Sequence, residues 1–255
     1  MKEKHSLEDF RFPNWNYPHY FKQVFSKYGL RAFDKQFRRH ILRPFSRSLI
    51  KKYAPRGLGL EVGVGAQTIA PAKRTILADF FEEHARSRSC AQVFFSGDEI
   101  PFDSESFSFV LSEHMLEHTA NPIKYLLEWQ RVLKPGGKLF LFLPHKERTF
   151  DRLRPRTTLN HLLQDYEKST AEDDKTHLKE WMSLVIDRGF ANHYASIPAE
   201  DMAKKGCLHH HVWITDDITE LLKHLGFKIL FSCDCVPDRD DSFAVVAEKI
   251  KSGDK

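Results

Sequence analysis

Cysteine is scarce in this chain. Four are spread over 255 residues, at Cys90, Cys207, Cys233 and Cys235, and their spacing makes neither a disulfide framework nor the paired Cys-x-x-Cys of a zinc module. Cys233 and Cys235 fall in an apolar, strand-like run, where reduced, buried thiols are expected. No apolar run approaches the roughly 18 residues of a membrane span, and Met1-Lys2-Glu3-Lys4-His5 lacks a signal peptide's apolar core, so the expected location is the cytoplasm. Glycine is sparse too, at 12 residues. It forms neither the Gly-x-Gly-x-x-Gly of dinucleotide folds nor a phosphate loop closed by Gly-Lys-Ser/Thr.

What is present is an ordinary globular composition, 41% apolar and 29% charged, with ample length for one large α/β domain. The net charge of +4 hides an asymmetry: residues 1–55 hold 13 Lys/Arg against 4 Asp/Glu, and the rest of the chain is mildly acidic. In that first segment aromatics such as Phe10, Trp15, Tyr20, Phe33 and Phe37 alternate with Arg31, Arg38, Arg39, Arg43 and Arg47. Helical spacing appears at Phe33, Phe37 and Ile41 and again at Phe45, Leu49 and Tyr53. The segment reads as a helical extension whose aromatics pack on the main domain. Its charges face water and allow weak contact with an anionic surface; nucleic acid is not the expected partner.

The main domain, 56–255, opens with an apolar strand over Leu58 to Val64 and a glycine turn at Gly63 to Gln67. Only nine residues, Ala66 to Arg74, precede the next strand, Thr75 to Ala78. Parallel strands need a crossover of about a dozen residues, so a loop or a single helical turn is expected between them. Asp79 closes the second strand, 18 positions after Glu61, where nucleotide-binding α/β folds place the carboxylate that holds ribose hydroxyls. Phe80 to Ser89 reads as a small helix, and Ala91 to Phe95 as a third strand ending at Gly97-Asp98. After the strand Phe109 to Leu111, Asn121-Pro122 opens a helix that stops at Lys134-Pro135-Gly136-Gly137, and Leu139 to Leu143 is a strand buried on both faces. Strand, helix, strand at this spacing means a parallel sheet.

In their order and spacing, Glu61-Val62-Gly63-Val64-Gly65, Asp79, Gly97-Asp98, Pro101-Phe102-Asp103 to Phe107, His114-Met115-Leu116-Glu117-His118 and Val132 to Gly137 resemble the class I S-adenosylmethionine-dependent methyltransferases of the type 11 group. The resemblance spans about residues 57–144, and extends to a subgroup with a shortened first crossover through Pro144-His145-Lys146, Thr149-Phe150-Asp151-Arg152 and His209-His210-His211-Val212-Trp213. It implies a Rossmann-like, doubly wound α/β sheet, mostly parallel with an antiparallel C-terminal strand. It also implies S-adenosylmethionine as cofactor: Glu61 orders the glycine turn or meets the cofactor's amino group, Gly63 and Gly65 let backbone approach it, Asp79 takes the ribose diol, Asp98 with Gly97 faces the adenine, and Ser112, Glu113 and His114 line the methionine side. Gln67 stands where the family often has a third glycine. The implied activity is methyl transfer to the oxygen or nitrogen of a small acceptor. A non-catalytic Rossmann-like module binding an anionic ligand is the alternative.

Thr215 is expected to cap a helix carrying Ile218, Leu221, Leu222 and Leu225, followed by strands over Phe227 to Cys235 and Ser242 to Glu248. About 70 residues separate Leu143 from that helix, more than a crossover needs. This insert, about 145–213, follows a central strand and is expected to form a helical substrate lid. Its helices fall over Leu159 to Tyr166 and Leu178 to Val185, and it holds half of the 14 histidines. Three readings of those histidines stand side by side. A metal can join His209 and His211, which share a face if extended, with His177 or Cys207. A general base, sought at His145, His209 or His211, can take the acceptor's proton. Otherwise the rings are simply hydrogen-bonded in the lid. The site assignment carries no metal, and gives substrate contacts to His118, Asp151 and Arg152.

Overall fold

The computed structural model describes residues 42–84, 87–191 and 194–250. The expected helix at Phe33 to Ile41 and His193 lie outside them. Helix α1 (Pro44–Tyr53) has proline in its first turn and buries Leu49 and Ile50. Strands β1 (Gly59–Val62) and β2 (Thr75–Asp79) follow, joined by a loop with one 3-10 turn at Ala72–Arg74, as the short spacing requires. A small hairpin, β3 (Glu83–His84) with β4 (Ser87–Arg88), precedes β5 (Val93–Phe94), β6 (Phe107–Glu113), α2 (Pro122–Val132) and β7 (Leu133–Pro144). The insert carries α3 (Leu159–Glu167) and α4 (Leu178–Trp181), the latter running on into a π turn at Met182–Ile186. Helix α5 (Thr215–His224), β8 (Phe227–Cys233) and β9 (Ser242–Lys249) complete the fold.

The seven-stranded sheet has the order β5-β2-β1-β6-β7-β9-β8. Its first five strands are parallel, and β9 runs antiparallel to both neighbours. Alternate residues of the strands face opposite sides. Leu60, Val62, Val110, Leu139 and Leu141 join α2, α3 and α5 in one core, while Leu111, Phe140, Phe142 and Val246 join α1 and Ile69 in the other. Phe107 and Phe109 have the same parity yet lie in opposite cores, because a bulge intervenes: Phe107 pairs with Leu133 and Phe109 with Lys138. The Lys134-Pro135-Gly136 step that stops α2 is absorbed there. The insert holds a third core of its own around Trp181, Val185, Tyr194, Met202 and Leu208.

Two local expectations are corrected. Phe80 to Ser89 is no helix: Asp79 accepts hydrogen bonds from both ends of the segment, the Phe80 N–H (2.8 Å) and the Ser89 hydroxyl (2.8 Å), and this closes it into the hairpin. Thr215 is the first residue of α5 rather than its cap. Its hydroxyl donates to Asp234 (2.8 Å), and the Asp217 carboxylate takes the Ile214 N–H instead (2.9 Å).

Candidate functional site

The carboxyl ends of β1, β2, β5 and β6 form one edge of the sheet, where open α/β sheets take ligands. Gly63 has φ 73° because the chain must turn sharply there, and a Cβ would lie 2.4 Å from Met115 Cγ. Gly65, at φ 57°, has nothing within 4 Å of such a Cβ, so its face of the turn opens outward. The Asp79 carboxylate also accepts the Gly65 N–H (2.9 Å), so three of its roughly four acceptor positions are used within the chain. Phe80 and Phe94 expose apolar rings beside it, at 62% and 44%. An open turn, a carboxylate and exposed aromatic faces on one edge fit a ligand with a ribose diol and a flat base.

The shortened crossover is pinned from beneath. Glu61 is buried and accepts a hydrogen bond from Thr68, whose hydroxyl also takes the Ala70 N–H (2.9 Å). Burial pushes the Glu61 carboxyl up to about 8, against the opposing effect of Thr68. The residue therefore orders the turn as a neutral acid. Asp98 is held below the usual carboxylate range: burial pulls the other way, but Lys124 (2.7 Å) and Ser96 outweigh it. Gly97 is a packing position, where a Cβ would press on Val62 and Tyr125 and where the carbonyl accepts Trp129 Nε1–H (2.9 Å).

A cavity of about 590 Å³ lies between the carboxyl ends of β6 and β7 and the insert. His114, Glu117 and His118 form its floor beyond β6; Arg148, Phe150 and Arg152 line it after β7; Phe190, Tyr194 and His209 come from the insert. The His209 ring is held edge-on to His118 (4.5 Å between centroids) and inclined to Phe150 (4.9 Å) and Trp181 (5.1 Å). Its Nδ1 lies 2.7 Å from Asp151 Oδ2. A carboxylate at Nδ1 places the proton there and leaves the lone pair on Nε2. Asp151 also meets Arg154 (3.0 Å); burial alone would raise its pKa, but His209 and Arg154 hold it below the ordinary value. Beside this dyad the Glu117 carboxylate is fully buried and accepts no hydrogen bond among the described residues, and burial pushes it up to about 7.

The sequence-derived residues do not all converge here. Of the three candidate bases, only His209 lines the cavity. His145 is buried, its Nδ1 accepting the Glu147 N–H (3.2 Å) and its Nε2 facing Asp234 (3.1 Å). His211 turns away toward Ala120 O, His161 and His177. His209 and His211 do not share a face because 207–212 has no strand pairing. The backbone of His210 and His211 is bound to the Glu117 carbonyl, and that of Val212 to Thr157. Asp151 sits behind His209 rather than on the wall, whereas Arg152 does reach the wall, with its guanidinium over Phe190 (4.1 Å).

Glu113 is the hub of an ion-pair cluster with Arg43 (2.5 Å) and Arg239 (2.9 Å), and Ser112 is a buried tie that donates to Val62 O (3.0 Å). His114, in the left-handed region at φ 49°, turns the chain off β6 and meets the Ser242 hydroxyl (2.6 Å); burial holds its pKa well below 6.5. Gln67 is half-buried in the short crossover. Sequence reading missed Glu117, Arg148, Tyr194 and Arg239 as cavity residues. The position of Glu117 between two histidines at the end of β6 was the one available signal for it.

Comparison with known proteins bears on the family and the fold. The family model of the methyltransferase domain, type 11, matches residues 60–141. An uncharacterised protein of Methanocaldococcus jannaschii is 30% identical over 176 residues, covering 66% of this chain and 82% of that one. The sterol 4-C-methyltransferase of Caenorhabditis elegans is 32% identical over 97 residues, 37% of this chain but 29% of that enzyme. Among solved structures, a SAM-dependent methyltransferase of Thermotoga maritima superposes with a TM-score of 0.50 at 19% identity, covering 91% of this chain and 99% of that one, and so shares the fold. The chain thus belongs to the class I S-adenosylmethionine-dependent methyltransferases, and is an enzyme that uses S-adenosylmethionine as its cofactor.

Proposed function

We propose that this enzyme methylates an oxygen or nitrogen of a small acceptor bound in the cavity beneath the insert, with His209 as general base. The observation that carries this reading is the Asp151–His209 pair, 2.7 Å apart, with His209 on the cavity wall at the carboxyl edge of the sheet. The cavity volume of about 590 Å³ suits a small organic molecule, and Phe150, Phe190 and Tyr194 offer it flat apolar walls. Arg148 on the wall is engaged by Asp234 (3.0 Å), so Arg152 is the cation the wall offers to an anionic substituent on the acceptor.

Asp79, Gly63 and Gly65 would hold the cofactor, with Asp98 toward its base. The cofactor supplies a methyl carbon on a positively charged sulfur. The chain's own part begins with holding the acceptor atom in line with that carbon, which can lower the barrier by about 7 to 11 kcal/mol. Methyl transfer would release that sulfur as a neutral thioether and leave the acceptor with a proton to shed. The acceptor's proton passes to His209 Nε2, and Asp151 stabilises the resulting imidazolium. A substituent drawn to Arg152 would set the acceptor's orientation.

The test is transfer of labelled methyl from S-adenosylmethionine to a panel of small phenols, carboxylic acids and amines. With a substrate in hand, H209Q and D151N are expected to lower kcat by about 10²- to 10⁴-fold and to leave cofactor affinity, measured by calorimetry, unchanged. Variants that retain the wild-type kcat would remove His209 from the mechanism.

A further inference from the structure

A second group of histidines lies in the insert, away from the cavity. We propose that His161, Asp165, His177 and His211 form a structural site for a divalent ion of the zinc type that ties the insert together. Each offers one ligand atom, and all four atoms lie within 4.8 Å of one another. His161 Nε2 is 3.0 Å from His177 Nε2 and 3.2 Å from Asp165 Oδ2, and His211 Nε2 is 3.8 Å from the same oxygen. Four ligands about 2.0 to 2.2 Å from a tetrahedral zinc are separated by roughly 3.3 to 3.6 Å. The measured gaps bracket that value, so small rotations of the rings complete the coordination.

Hydrogen bonding within the chain does not account for the cluster. Two imidazole nitrogens 3.0 Å apart can share one proton, yet Asp165 Oδ2 is buried, accepts no hydrogen bond among the described residues, and faces His161 and His211. The other carboxylate oxygen accepts from Thr170 (3.2 Å), the kind of outer contact that orients a ligating acid. Burial, with the neighbouring histidines, keeps His177 and His211 below the ordinary histidine pKa, so both rings stay uncharged at neutral pH, as metal ligands must. His211 Nε2 also lies 3.3 Å from the Ala120 carbonyl, a contact the ring would give up on binding the ion. Three imidazoles and one carboxylate suit a borderline ion such as Zn²⁺ rather than Mg²⁺ or Ca²⁺, which prefer oxygen. Four protein ligands and no cavity wall mark a closed, structural site.

The ligands come from three segments distant in sequence. His161 and Asp165 lie four apart on one face of α3, His177 precedes α4, and His211 lies in the irregular segment just before Trp213, which bridges to His145 after β7. One ion would join the start of the insert to its end across 50 residues of chain. That segment also carries His209, two residues away, so the ion would help to fix the proposed base. The site itself does not depend on the methyl-transfer chemistry.

The test uses the full chain without a histidine tag, stripped with a chelator, loaded with Zn²⁺ or Co²⁺, and dialysed. Elemental analysis should find one zinc per chain, and the cobalt form should show the visible bands of a tetrahedral ion. H161A and H177A should each weaken retention by at least about 100-fold, while H177C, which restores a zinc ligand, should keep it. E117Q should keep it too, because Glu117 belongs to a separate group with His118 and His209 in the cavity. Wild-type protein that retains no zinc overturns the proposal, whatever the fate of the variants. So does zinc that survives both H161A and H177A, or that is lost in E117Q.

Discussion

At the scale of single residues, Glu61 shows how a motif residue can serve the fold itself, through its buried contact with Thr68. It sits at the end of β1 where the chain most needs order, since the following crossover has no helix to brace it. Its folded pKa, about 8, lies above its unfolded value of 4.5. The folded protein therefore keeps a proton that the unfolded chain has lost, and stability falls as pH rises from 4.5 toward 8. The cost is on the order of a few kcal/mol by the upper limit, and Glu117, raised to about 7, adds a similar slope. E61Q keeps the Thr68 contact with a neutral amide. Urea unfolding of E61Q at pH 5, 6, 7 and 8 is expected to show a shallower decline than wild type and greater stability at pH 8. Parallel curves would mean that Glu61 is ionised in the folded state.

At the scale of elements, the strands were legible because apolar runs such as Leu139 to Leu143 are buried on both faces and leave no other reading. The short crossover was legible from chain length alone. The hairpin after β2 was not, because its cause is a side chain: Asp79 gathers Gly65, Phe80 and Ser89. The dyad of the cavity was equally hidden, its partners being 58 positions apart, and that His209 rather than His145 or His211 lines the cavity depends on packing around Glu117 and Trp181. The hairpin carries a prediction. Asp79 serves both the fold and the proposed ribose contact, so D79A should weaken S-adenosylmethionine binding by roughly 10- to 100-fold, as loss of charge-assisted bonds worth about 1.5 to 3 kcal/mol implies, and should lower the melting temperature. S89A removes only the hairpin's hydroxyl and leaves the carboxylate, so its affinity should stay within a fewfold of wild type. Calorimetry on the two variants decides the matter: equal losses would assign the effect to the hairpin rather than to a cofactor contact.

At the scale of the whole molecule, the two faces of the sheet are covered unequally. One face receives α2, α3 and α5, whereas the other is covered, among the described residues, by the single helix α1, Ile69 of the short crossover and Val236 between β8 and β9, over Phe109, Leu111, Phe140 and Phe142. A helix between β1 and β2 would have shared that load; its absence makes α1 part of the core rather than an appendage. Leu49 and Ile50 are nearly inaccessible, and burying two such side chains is worth about 1.5 to 3 kcal/mol each. The attachment is also polar. Asp238 accepts from the Ser46 N–H (3.0 Å) and hydroxyl (2.7 Å), and Arg43 reaches Glu113, which binds Arg239 on the cavity wall. Removing Arg43 leaves Glu113 with one partner, and breaking a buried pair commonly costs about 3 to 5 kcal/mol; R43A should therefore be markedly less stable. A chain beginning at Ala54 loses the cover and the ion pair together. It is expected to bind a hydrophobic dye, to aggregate at concentrations where the full chain is monodisperse, and to lose cofactor affinity through the loosened sheet edge. A truncated chain that stays monodisperse, melts cooperatively and binds S-adenosylmethionine as tightly as the full one would show instead that α1 rests on a face able to close without it.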